Sequence, residues 1–110
     1  MKVFPEQGEY IAVNFSPAEG HEQQGFRPAL VVSATAMNKY GMVWALPITN
    51  TLRGPGRFVL PEGEAVHGAV LFTQIKTLDL ASRSFLSKGQ ASDEVLEEAI
   101  GKAAAILGIG

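Results

Sequence analysis

The chain reads as a mainly β protein, a compact, strongly curved sheet or small barrel with one helix packed on it. Three observations predict this. Five or six short apolar segments are separated by polar turns rich in glycine and proline. Only one long segment, at the C-terminus, has a helical period. Strand and helix patterns never alternate, as a Rossmann-like chain would require. At 110 residues the molecule is long enough for one modest core and is expected to form one domain over 1–110.

The elements follow in order. EYIAVNF (9–15) alternates, with Ile11, Val13 and Phe15 on one side, and reads as a half-buried strand. Ser16–Pro17 ends it. PALVVS (28–33) is a continuous apolar run, as expected of a strand covered on both faces, and Pro28 stands at its tolerant first position. ATAMNKY (34–40) suits a turn or two of helix before Gly41. MVWALPI (42–48), RFVL (57–60) and HGAVLFTQIK (67–76) follow as strands, the last of them long, and SRSFLSKG (82–89) is a weaker sixth. Trp44, Phe58 and Phe72 fall inside these runs and read as core rather than as stacking platforms. Then the period changes. Val95, Leu96, Ala99, Ile100, Ala103, Ile106 and Leu107 recur every three or four residues as one apolar helix face. Ser92 suits the N-cap, the acids behind it complement the positive helix end, and Gly108 suits the stop.

Composition removes several function classes. An apolar fraction of 46% is ordinary for a globular chain, so disorder is not expected. Without cysteine there is neither a disulfide framework nor a thiolate metal site. MKVFPEQGEY lacks the apolar centre of a signal peptide, and no run approaches a membrane span, so a cytoplasmic protein is expected. The net charge of −2 gives no long-range attraction for polyanions. Any anion site must therefore be local, and the clustered bases are Arg27, Arg53 and Arg57.

One loop carries more chemistry than a connection needs. GHEQQGFRP (20–28) places His21, Glu22, Gln24 and Arg27 within nine residues. Glu22 can take a proton, His21 titrates near neutrality, and Arg27 can hold an anionic oxygen through paired N–H groups. An acid–base pair beside a guanidinium suits phosphoryl chemistry without a metal. The same groups also suit a solvated surface loop, and spacing alone does not separate the two readings. A metal site is the weaker functional reading, since His21 and Glu22 are adjacent and His67 is the only other histidine. The stretch TNTLRGPGR, with its glycines, has the look of a flap that carries Arg53 and Arg57.

GEYIAVNF, PAEGHEQQGFRPALVVS, LPITNT, HGAVLFTQIKTLDL and SDEVLEEAI, in this order and with these gaps, resemble the MazF/PemK toxin family on its ChpB/Kid-like side. The resemblance runs from about Gly8 to Leu107. It implies a small SH3-like, CcdB/PemK-type barrel that forms a homodimer. It also implies a toxin of a toxin–antitoxin module, a metal-independent endoribonuclease with no cofactor that cleaves single-stranded RNA, usually at short motifs. In that chemistry the 2′-hydroxyl attacks the adjacent phosphate and leaves a 2′,3′-cyclic phosphate and a 5′-hydroxyl. A cognate MazE/PemI-like antitoxin would lie across the RNA site.

Carried over residue by residue, the resemblance makes Glu22 the catalytic carboxylate, Arg27 the phosphate-stabilising cation and His21 a further catalytic group. Thr49 would line the pocket, with Gln24, Arg53, Arg57 and Gln74 as additional substrate-binding candidates. Two positions depart from the pattern. Many relatives carry a carboxylate where this chain has Thr73, and PemK carries an arginine where it has Leu71. The chemistry then rests on Glu22, His21 and Arg27. The alternative is a catalytically weakened or CcdB-like toxin that binds RNA or protein without cutting.

Overall fold

The computed structural model describes residues 3–15 and 25–109. Among them, seven strands form an antiparallel sheet: β1 (Glu9–Asn14), β2 (Phe26–Val31), β3 (Met42–Thr49), β4 (Arg57–Val59), β5 (Ala69–Leu71), β6 (Lys76–Asp79) and β7 (Phe85–Gln90). A helical turn, α1 (Thr35–Asn38), precedes β3, and α2 (Asp93–Ile106) closes the chain. The strand order is β4-β5-β3-β2-β1-β7, with β6 also paired to β3. The expected mainly β architecture with a C-terminal helix is what forms.

β3 organises the sheet. Along one edge it pairs with β2 through Ala45–Pro47. Along the other it pairs first with β6, through Met42–Ala45, and then with β5, through Ile48 and Thr49. Pro47, which has no N–H to donate, falls where β3 passes from one of these partners to the other. The expected single strand over 67–76 is accordingly two. It is β5, a turn in which the Phe72 amide donates to the Gly56 carbonyl and the Gln74 amide to that of Leu71, and then β6. Other ends shift by a few residues: the 28–33 run forms β2 from Phe26, 57–60 ends at Val59, and 82–89 becomes 85–90.

Both faces of the sheet are covered. Tyr10, Leu30, Leu46, Ile48 and Val70 pack with Phe58 and with Val95 and Ala99 of α2. Ile11, Val13, Ala29, Val31, Val43 and Ala45 pack with Leu78 and Leu80 on the other side. β1 is thus buried on both faces rather than half-buried, because α2 covers the side that carries Tyr10.

α2 starts where expected, with Ser92 Oγ accepting from the Val95 amide at 3.2 Å. Its apolar face is only partly used. Val95, Ala99 and Ala103 are buried, whereas Ile106 and Leu107 are more than half exposed. Trp44 also departs from the core expectation. It is 50% exposed, because its neighbours Val43 and Ala45 take the inward positions on β3. Phe58 is buried as expected, and Phe72 is half-buried and stacked on it at 6.4 Å between centroids.

Candidate functional site

Arg27 is the second residue of β2 and stands opposite Val13 of β1. Its side chain is exposed and makes no hydrogen bond or ion pair with any described residue. Arg27 lies two residues before Ala29, which faces Pro47 on β3, and Thr49 lies two residues after Pro47. Strand alternation puts both on one side of the sheet. A cation and a hydroxyl thus stand at neighbouring strand ends, each two residues from the Ala29–Pro47 pair.

The chain beyond Thr49 is tied to itself. Thr49 Oγ1 accepts from the Thr51 amide at 3.1 Å. Arg57 Nη1 donates to the Thr51 carbonyl at 2.7 Å, which draws the start and end of the 51–57 segment together. The guanidinium lies against Gly54, where a Cβ would stand 3.1 Å from it. Gly56, at φ +74°, lies against Thr73, and a Cβ there would sit 2.8 Å from Thr73 Oγ1. Only glycine combines that backbone with that approach. The contact brings the Thr73–Gln74 turn against the segment that follows Thr49. Gly68 completes the arrangement, its Cα close beneath the Thr49 carbonyl, so that β5 can pair with the end of β3.

Of the residues singled out from sequence, Thr49, Arg57, Thr73 and the adjacent Gln74 gather around one segment. Arg27 stands exposed at the start of β2, and Arg53 is exposed between Leu52 and Gly54. His21, Glu22 and Gln24 lie outside the described residues, between Phe15 and Gly25. Among the described residues, no three His, Asp or Glu side chains come together as metal ligands. No described helix is long and apolar enough to cross a membrane.

The sequence pattern of the PemK-like, MazF-like toxins of type II toxin–antitoxin systems matches residues 6–107, nearly the whole chain. The chain belongs to this family. It is 48% identical over 103 residues to the endoribonuclease toxin ChpB of Escherichia coli K12, covering 86% of this chain and 87% of that protein. The endoribonuclease toxin MazF of the same organism is 35% identical over 94 residues, covering 84% and 85%. A crystallised MazE–MazF complex from Deinococcus radiodurans superposes with a TM-score of 0.84 at 33% identity, over 99% of this chain and 100% of the matched one. The sheet and helix are those of the MazF fold, and endoribonuclease toxins are the relatives this MazF/PemK-family chain resembles. Sequence reasoning did not single out Asn14 or Arg83. They are 69 positions apart and are joined only by the fold, so no local spacing could have marked them.

Proposed function

We propose that this chain is the toxin of a type II toxin–antitoxin pair, a cytoplasmic, metal-independent endoribonuclease that cuts single-stranded RNA selectively. The observation that carries the reading is family membership over 6–107 in a chain whose Arg27 stands exposed at the start of β2. Glu22 takes the proton of the ribose 2′-hydroxyl, and the 2′-oxygen attacks phosphorus. The bond from phosphorus to the 5′-oxygen breaks, and His21 returns a proton to that oxygen. Arg27 balances the charge gathering on the non-bridging oxygens. The products are a 2′,3′-cyclic phosphate and a 5′-hydroxyl. Thr73 and Leu71, where the resemblance implies a carboxylate in many relatives and an arginine in PemK, leave the base role to Glu22 and also favour the second reading, a toxin of weakened activity.

Two partners belong to the proposal. One is an antitoxin, since the Deinococcus radiodurans MazF was crystallised with MazE. The other is a second copy of the chain. Trp44 joins two apolar grooves, of ≈ 160 Å³ against Ile100, Ala103 and Leu107 of the α2 end and of ≈ 300 Å³ against Met37 and Met42. A contiguous apolar face of this kind is what a homodimer covers.

Purified protein incubated with long single-stranded RNA in EDTA tests the reading. Fragments ending in cyclic phosphate are expected, 2′-deoxy substitution at the cut should block cleavage, and light scattering of the same sample should give twice the chain mass. Cleavage abolished by EDTA and restored by magnesium would overturn the mechanism. Intact RNA would leave the weakened or CcdB-like reading.

A further inference from the structure

We propose that Arg83 is a positioning residue for the RNA-facing end of the sheet, acting on Arg27 through the last residue of β1. The proposal rests on the reading of Arg27 as the phosphate-stabilising cation. Arg83 Nη1 donates to the Asn14 carbonyl at 2.6 Å, in a partly buried contact. A charged donor on a backbone carbonyl is short and stronger than a neutral pair. Asn14 is the residue of β1 that faces Phe26, and Val13 before it faces Arg27 on one side and Phe85 on the other.

The grip has a second jaw. The Asn14 side chain lies against Gly25, so closely that a Cβ there would overlap Oδ1 and stand 2.8 Å from Cγ. Asn14 is therefore held by a guanidinium from just before β7 and closed in by glycine just before β2. These contacts fall where a ladder normally frays, since the last pair of a strand lacks a neighbour on one side. Arg27 has no side-chain partner among the described residues, and its backbone is paired with Val13 of β1. Arg83 fixes β1. Catalysis that depends on a cation at one place along the phosphate is sensitive to such a support at a distance.

Arg83→Met keeps the aliphatic stem and removes every donor. Expected is a fall in kcat of roughly tenfold to a hundredfold, with KM and the salt dependence of RNA binding unchanged, and faster amide exchange at 13–15 and 25–28. Arg83→Lys keeps one donor for the carbonyl and should recover most of the rate. An unchanged kcat in Arg83→Met overturns the proposal. So does a raised KM with the log–log salt slope flattened by ~0.7, which would make Arg83 a direct phosphate contact. If Arg83→Met does not fold, Arg83→Gln, which shortens the reach and removes the charge, must lower kcat at constant KM; an unchanged rate there overturns the proposal. If the wild type cleaves no RNA, the nuclease reading fails by itself, and the exchange rates still decide Arg83, with unchanged exchange in Arg83→Met overturning it.

Discussion

Tyr10 on β1 and Arg27 on β2 belong to neighbouring strands, and both end in a polar group. Tyr10 is fully buried, and its hydroxyl donates to Glu64 Oε1 at 2.6 Å. The same oxygen accepts from the Ser92 amide at 3.3 Å, so one carboxylate ties β1, the loop after β4 and the start of α2. Burial and Glu64 together push the Tyr10 phenol well above its usual range, and it stays protonated. Arg27 is exposed and has no such tie to any described residue. A buried polar group is retained only if its bonds are made inside the molecule, and such groups hold the architecture. An exposed cation at strand ends has no such part in the architecture, and under the proposed function its donors meet RNA.

The first way to break this contrast is to remove the chemistry and leave the fold. Glu22→Gln should lower the cleavage rate by ~10²–10⁴-fold, as loss of a general base does, while RNA affinity and the thermal transition stay as they were. A parallel loss of stability would place Glu22 among the structural groups with Tyr10.

Tyr10→Phe should do the reverse. Cleavage should persist, while unfolding free energy falls by ~1–3 kcal/mol, because a hydrogen bond to the partly buried Glu64 carboxylate is lost. The sign with pH follows from the raised phenol. The folded state holds the proton after the unfolded chain has begun to lose it, at pH ~10. The stabilisation is thus complete below that pH and declines as pH rises further toward the folded-state value. Denaturant titrations across the alkaline range should show this slope in the wild type and lack it in Tyr10→Phe; equal slopes would break the assignment.

The smallest effect sharpens the contrast within one segment. Arg53 is exposed, whereas Arg57 is committed to the Thr51 carbonyl. Arg53→Ala should weaken binding of all RNA sequences alike and flatten the log–log salt slope by ~0.7, with no change in stability. Altered sequence preference at constant slope would mean that Arg53 reads a base instead.

Much of this molecule follows from local chemistry. The period of 95–107 set α2, Ser92 capped it, and Gly108 at φ +77° follows its C-cap, Leu107, because these choices involve residues within a turn of one another. The strand cores over 9–15, 28–33 and 42–48 were legible for the same reason, as was the concentration of acid–base groups over 20–28. What the sequence could not settle was who covers whom. An apolar period says that a face wants burial, but not whether the same chain supplies the cover, and so Trp44, Ile106 and Leu107 looked like core and stand exposed. A run of strand-formers does not say where its partner changes, and so 67–76 is divided where β3 passes from β6 to β5. The pairing of Arg27 with Val13, and the hold of Arg83 on Asn14, come from strand order and register. Those are decided by the packing of the whole sheet, because only there do residues far apart in the chain become neighbours.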